Sequence, residues 1–553
     1  SFEGATIRIQ QYVPFAAKMD SRFSLKGSDL HFDRIDLLTD GATSILEGDI
    51  QLANWPEQLY TIRSKIDIAT QKNIYFTNDP FTADGEAEFE GTFHLPKAGG
   101  RELKGTWRTP VTRLKLGANT WQFPNLRGHV LWVPDRLEVT DVRSGLYGGT
   151  AQFDYRMLSL DNRSGPRRAV WDVKYQDVDL AALTDFLELE GIRFAGRATG
   201  RNRLEWPLGG WARLRGGGEV TVTPPPDVEM MGPELRPEQV AAQAALPPEA
   251  GPFNPRAPLG HVPVAGHVSY ELDPEWITLA RSWVATRKTH VAFDGRTAWR
   301  QRSRIPFRVV SLDWQESDRV FAGILTALGS PTSAVPVGGY GEFTGVMLGA
   351  FNDPRIEGTF TGDRMWAWDV TWGRGSADIV IEDSYVDIAR SSIVTGDAEI
   401  NATGRFSLGY PRKDGGTEID ATVTLNRWPL ADLRHAFQLD DWPIEGVVSG
   451  EYRLTGHYET PHGSGTMIID QGVAYGETFD RAVSTLRFEG NGVRLEKFDV
   501  RKGTGAMTGA AWIGWDGTYS FTADGERIPV ESLRTLEYPR APLSGIMRFK
   551  ASG

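Results

Sequence analysis

Apolar and polar residues alternate along most of this chain. Ala398, Ile400, Ala402, Gly404, Phe406 and Leu408 are separated by Glu399, Asn401, Thr403, Arg405 and Ser407. Ile419, Ala421, Val423 and Leu425 alternate with Glu418, Asp420, Thr422 and Thr424. Trp366, Trp368, Val370 and Trp372 follow the same rule, as do Ile62, Ser64, Ile66 and Ile68. A period of two predicts antiparallel strands with one apolar and one wet face. Helical spacing is confined to Leu180–Leu189, Pro429–Phe437 and Val530–Leu536. The predicted class is mostly β, with short helices.

The pattern repeats. A hairpin with alternating strands is predicted at Leu30–Leu37, Val130–Val142, Val268–Leu279, Asp378–Ile388 and Thr485–Val500. In the last four its turn is Pro-Asp, Asp-Pro, Asp-Ser or Asn-Gly, residues that accept tight-turn dihedrals. The next strand crosses a common point at Gly48, Asp154, Gly295, Gly404 and Gly509, at separations of about 106, 141, 109 and 105. A strand entered through Pro-apolar-x-Gly recurs at Pro336–Gly339, Pro443–Gly446 and Pro542–Gly545, with looser versions ending at Gly85 and Gly196. Each repeat of about 105 residues is thus expected to hold about five strands and a short helix. Proline opens two of these helices, at Pro429 and Pro529, as suits a first helical turn.

The divisions follow: a partial repeat over 1–84, repeats over 85–195, 196–338, 339–445 and 446–544, and the start of another over 545–553. The long interval is explained by residues 223–262, which carry about a third of all prolines. Proline at that density cannot form a sheet interior, so the segment is expected to be a surface loop or mobile flap, with a helical piece over Pro237–Leu246.

Four to five such repeats amount to about 25 strands, or roughly 120 Å of sheet at ~4.8 Å per strand. A sheet of that length cannot hold one apolar face in water. It must fold into a sandwich, close into a membrane barrel, or curl into a trough open to an apolar guest. Recurrent helices and the Pro-rich insert do not suit a barrel of hairpins and short turns. Shared register among the repeats favours the trough, with a continuous inner face, and small inward residues (Ala398, Ala402, Gly404, Ala421, Gly509) are expected to leave room for a guest. The expected wall is Ile62, Ile66, Ile68, Trp366, Trp368, Val370, Trp372, Ile379, Ile381, Ile400, Phe406, Leu408, Ile419, Val423, Leu425, Leu486, Phe488 and Phe521. Trp366, Trp368 and Trp372 are expected to share a face with Val370. Trp512 and Trp515 are expected on opposite faces, one of them exposed.

Composition narrows the function. The chain has no cysteine, so thiolate metal sites, disulfides and Cys nucleophiles are excluded. A net charge of −12 argues against nucleic acid. No run of apolar residues is long enough for a transmembrane helix. Ser1-Phe2-Glu3-Gly4 leads straight into a strand with no signal peptide, and Ala551-Ser552-Gly553 ends in one, so the chain is expected to be part of a longer protein.

Chemistry is sparse. His457 and His462 flank Glu459, but Pro461 is expected to break the local geometry of a metal site. His267 and His290 have no third ligand. Gly339-Tyr-Gly341-Glu-Phe-Thr-Gly345 follows proline and enters a strand, so it lacks the helix that a dinucleotide fingerprint needs. Asp440 with Asp441, or Asp67 with Asp36, could pair as acid and base, yet all fall on the polar face or in turns. No nucleophile elbow is present. The expectation is a non-enzyme without cofactor or metal.

The Pro-x-x-Gly entry, the hairpin, the Gly-bearing strand and the closing helix resemble the AsmA-like superfamily, especially TamB-like translocation and assembly module proteins. The likeness is carried by Pro443–Gly456, Gly465–Val500, Gly509–Gly553 and Pro336–Leu408 and covers nearly all of the chain except 223–262. The resemblance implies a long β-taco in the periplasm of a Gram-negative bacterium, held to the inner membrane by an anchor outside this segment. It implies bridge-like carriage of phospholipid between membranes, and an outer-membrane partner of the barrel-assembly type. The alternatives are a structural scaffold of the envelope and, further off, a polysaccharide-active enzyme.

Overall fold

The structure is a computed structural model. It describes all residues but 10–11, 55–56, 78–80, 117–118, 162–164, 188–189, 247–259, 299–301, 328–332, 351–352, 384, 409–417, 438 and 537–542. Of the described residues 68% are in strands and 11% in helix. Its helices are α1 (Ile68–Tyr75), α2 (Leu180–Phe186), α3 (Pro237–Ala244), α4 (Trp314–Ala327) and α5 (Leu430–Ala436). None is long and apolar enough to cross a membrane.

The fold forms two compact units. The first comprises 1–189, 193–229 and 261–284; the second comprises 190–192, 230–260 and 285–553. Within each, the strands of the long sheet pair antiparallel, as expected of a repeating β-groove, and in the first unit Arg193–Ala195 pairs parallel with His261–Pro263 apart from it. Each repeat holds six strands, one more than the sequence predicts. In the repeat before α5 they are Gly338–Ala350, Asp353–Ala367, Val370–Glu382, Tyr385–Thr395, Ala398–Ser407 and Glu418–Pro429. The undercount arises at the stripe from Trp366 to Trp372, which is a hairpin and not one strand. Trp368 and Asp369 form its turn, both at positive φ (52° and 60°), and the sequence alternates unbroken through this two-residue reversal.

The four hairpins with Pro, Asp or Asn-Gly turns form where expected. Pro134-Asp135 sits at one tip as expected, while the Asn-Gly tip falls one residue earlier than expected, at Gly490-Asn491. Leu30–Leu37 is no hairpin: it lies inside the single strand Asp29–Thr39. The common crossing point falls on the fifth strand of every repeat, but Asp154 takes the polar face. Its carboxylate accepts the Asp141 N–H at 2.8 Å, while Gly48, Gly404 and Gly509 face Phe32, Ile388 and Phe498 across the ladder.

Two recurrent irregularities shape the sheet. The fourth strand of the repeat is bulged between Phe32 and Ile35, Val139 and Val142, Ile388 and Ile393, and Leu495 and Phe498. The sixth is bulged just before the helical segment, where Asp177, Arg427 and Arg527 hold φ near +53°. Thr199 Oγ1 and Ser449 Oγ accept the N–H groups that two of these bulges turn out of the ladder, at 3.1 and 3.0 Å. A bulge adds local twist, so the repeats that carry one at the same place bend alike there.

α2 and α5 lie where helical spacing predicts. Val530–Leu536 instead forms two 3-10 turns, docked by Glu477, whose carboxylate accepts from Thr535, Arg534 and Lys502. α1 and α4 are not predicted. Each has an aspartate at its start: Asp67 accepts the Thr70 N–H at 2.8 Å and Asp313 the Gln315 N–H at 3.0 Å. These caps, and the spacing of Trp314, Ser317, Val320 and Phe321, are the signals that mark them.

Part of the Pro-rich insert is docked rather than a mobile flap. Met231 is buried against Val310 and Leu312, with Leu235 and Val240 of the same segment beside it. The Met231 N–H donates to Thr286 O at 2.8 Å and Arg308 donates to Pro233 O at 2.8 Å. Val310 stands across from Glu342 on the polar side of the sheet, so the insert covers a patch of the wet face. Residues 247–259 of the insert lie outside the described residues.

α4 carries a buried carboxylate. Asp318 accepts the Val335 N–H at 2.5 Å, and burial pushes its pKa up to about 7. The folded form therefore keeps this proton up to about pH 7, whereas the unfolded chain releases it near the ordinary carboxylate value. Its contribution is full below that value and is lost as pH rises from about 4 to 7. Asp318→Asn is expected to flatten this slope and to stabilise the chain at pH 8 by about 1–3 kcal/mol. Urea midpoints at pH 5 and pH 8 for both chains check it; an unchanged difference between the two pH values rules the account out.

Candidate functional site: an open apolar sheet face

In the second unit, inward residues meet across consecutive ladders. One rank runs Ile305–Met347–Ile356–Ile381–Val386–Phe406–Ile419, each directly opposite the next. It crosses seven strands, or about 29 Å at ~4.8 Å per step. Its ends are buried (Ile305 7% exposed, Ile419 8%), while the five residues between them are only half-buried. In the first unit Ile35–Leu46–Ile62–Gly91–Gly105–Val130–Val139–Tyr155–Trp171–Leu204 forms a comparable rank.

The same face is closed at the helix end of the strands. Ala367, Val370, Trp372, Ala398, Ile400, Leu425, Trp428, Val448 and Ile469 form one cluster, with Leu430, Leu433 and Ala436 of α5 against it. Trp428 is fully buried and stacks on Trp372 at 5.7 Å between ring centroids. Around α5 the inward face therefore has two parts, a dry core at the helix end and an open apolar strip along the remainder, whereas in the first unit the buried clusters around Ile50 and Tyr60 and around Ala169 and Trp206 lie at the strand ends away from α1 and α2.

The predicted wall residues separate accordingly. Ile62, Ile66, Ile379, Ile381, Phe406, Val423, Phe488 and Phe521 are half-buried on the apolar face, and Ile419 and Leu486 are buried there. Val370, Trp372, Ile400 and Leu425 belong to the closed cluster. Trp366 stands opposite Thr371, on the other side of its hairpin from Val370 and Trp372. Trp368 is at the turn and 64% exposed. Ile68 is the first residue of α1, and Leu408 follows the end of its strand at Ser407. Trp515 is exposed, but it lies in the turn after the strand Gly505–Gly514 and not on a strand face opposite to Trp512.

Met347, Ile356 and Val386 complete the open rank; the Gly-x-Phe-x-Gly-x-Met alternation of Gly341–Met347 is the sequence signal for the first of them. Several small inward positions do not leave free space, because a neighbouring ring lies over them. A methyl group on Gly105 would come within 2.7 Å of the Phe89 ring, and one on Gly509 within 2.5 Å of Phe498. Aromatic rings laid over cross-strand glycines make the floor apolar and low. Tyr452 is laid down in the same way over Gly465, and burial pushes its hydroxyl pKa up to about 12.

Exposure is large for the mass. The chain presents 30694 Å² to solvent, whereas two compact units, each half of this mass, would present about 24,000 Å².

No protein-family model, curated protein or solved structure matches this chain. Its functional reading therefore rests on the molecule itself. Among the described residues no group of three His, Asp or Glu side chains gathers to hold a metal ion. Pro461 does not break its segment: it opens the strand Pro461–Ala474, opposite Gly456. Asp440 pairs with His435 at 2.9 Å, Asp36 with Arg34 at 2.7 Å, and Asp67 caps α1, so the candidate acid–base pairs each have other partners. Gly339–Gly345 lies within a strand.

Proposed function

We propose that this protein is a non-catalytic carrier of amphipathic lipid, holding acyl chains against the open strip of its apolar sheet face. The supporting observation is the rank from Ile305 to Ile419, apolar on seven successive strands and half-exposed along its middle. Apolar area removed from water is worth about 25 cal/mol per Å², so an acyl chain on this strip is nearly isoenergetic with one in a bilayer. The headgroup stays at the open edge, because burying an unpaired phosphate is prohibitive. A strip of equivalent positions lets a chain move without a tight step, and such a mechanism needs no catalytic residue.

The AsmA-like and TamB-like resemblance supplies the setting for this proposal: carriage of phospholipid across the periplasm, an inner-membrane anchor outside this chain, and an outer-membrane barrel-assembly-type partner. The decisive experiment is native mass spectrometry and lipid extraction on the purified chain. Several phospholipids per chain are expected. A lipid-free chain that also takes up no fluorescent phospholipid would reject the carrier and leave the envelope scaffold, for which the closed cluster around Trp428 is the favouring observation.

A further inference from the structure

The polar face of the first unit carries a feature that the carrier reading does not use. A cavity of about 1300 Å³ opens there across eight strands from Gly41–Thr43 to Lys174–Gln176, and Lys65, Arg108, Arg127, Arg143 and Lys174 line it. Arg108 stands directly across the ladder from Arg127, and Arg127 directly across from Arg143. Like charges facing one another on adjacent strands destabilise a sheet. Here three arginines do so in a chain whose net charge is −12.

Their internal neutralisation is incomplete. Glu88 pairs with Arg108 at 2.7 Å and Asp141 with Arg143 at 2.9 Å. Arg127, Lys65 and Lys174 have no ion-pair partner among the described residues. The carboxylates on the wall are Asp67, Glu86 and Glu88, against five cations. Asp67 is occupied with capping α1. Lys65 and Lys174 lie six strand steps apart, about 29 Å, with the arginines between them. Elsewhere on this face cations and carboxylates pair across the ladder, as Arg201 does with Glu219 and Arg405 with Asp387. The row centred on Arg127 is arranged otherwise.

We propose that this cavity binds a ligand carrying two or more phosphate groups in line, with Arg127 at the centre and Arg108 and Arg143 on either side. Guanidinium groups suit phosphate because their paired N–H donors match its oxygens, and an anion placed between facing arginines turns their repulsion into attraction. Thr43, Thr150 and Gln152 on the same wall offer neutral hydrogen bonds. The phosphates could belong to a soluble oligophosphate or to clustered anionic lipid headgroups, which share this chemistry.

Isothermal titration of the full chain with tripolyphosphate at low salt tests the proposal. Saturable binding is expected, weakened by added salt and weakened about tenfold or more by Arg127→Gln. Arg390→Gln removes an exposed cation from the second unit and is expected to leave binding unchanged. Without ligand, Arg127→Gln is expected to be at least as stable as the parent chain, since it relieves the repulsion; this separates lost binding from lost folding. Flotation with phosphatidylcholine vesicles, with and without phosphatidylglycerol, distinguishes the sources. An Arg127-dependent gain from phosphatidylglycerol assigns the site to headgroups, and tripolyphosphate binding without that gain assigns it to soluble ligands. Absence of tripolyphosphate binding, or equal loss in Arg127→Gln and Arg390→Gln, overturns the proposal.

Discussion

Chains carrying Ile381→Asp or Phe406→Asp are expected to purify folded and to lose most of their bound phospholipid. Both residues lie in the half-exposed middle of the seven-strand rank, so a carboxylate there keeps contact with water and costs the sheet little. For a guest the effect is opposite, because an acyl chain crossing that point must strip water from a charge. Phospholipid phosphate per chain is expected to fall several-fold, with a urea midpoint close to the parent's. Ile400→Asp provides the contrast. That side chain is 8% exposed inside the cluster beneath α5, and an unpaired charge buried there costs about 3–5 kcal/mol. It is expected to unfold its repeat, so lipid lost from it says nothing about the strip. Unchanged lipid content in both Ile381→Asp and Phe406→Asp would sink the carrier reading.

The second large effect lies in the closed cluster. Trp428→Ala is expected to cost about 3–5 kcal/mol, since it removes a fully buried indole that stacks on Trp372. Trp428→Phe should cost less than half of that. The indole N–H has no hydrogen-bond partner among the described residues, so phenylalanine removes an unsatisfied donor along with some packing. Trp368→Ala, at the exposed hairpin turn, should change stability by less than about 0.5 kcal/mol. Equilibrium urea unfolding followed by far-UV circular dichroism ranks the three. Equal costs for Trp428→Ala and Trp368→Ala would show that the cluster does not hold this part of the sheet.

The contrast between these tryptophans shows where reading along the chain stops. Trp366, Trp368, Val370 and Trp372 alternate in sequence through a turn, but a two-residue turn sets Ala367 opposite Val370, three positions apart, and so shifts the faces by one. Pattern alone therefore counts one strand where there are two, and places Trp366 on the wrong side of Val370. Turns with a chemical signature, at Pro134-Asp135 and Gly490-Asn491, were legible. The turn at Trp368-Asp369 was not, since tryptophan carries no such signal.

What the sequence by itself determined is local. The period of two assigned Ile381, Phe406 and Val423 to one face, the paired landmark series set the repeat near 105 residues, and proline density marked 223–262 as an insertion. Those properties depend on near neighbours in the chain. Only the tertiary structure decided which apolar residues share a dry cluster and which stay open, because that depends on where α5 and the bulge at Arg427 bring distant strands. It also decided that Met231 docks the insert on Val310, and that Arg108, Arg127 and Arg143, far apart in sequence, face one another. Register between strands sets such meetings, and register follows from the bulges and turns of the whole sheet rather than from any one strand's pattern.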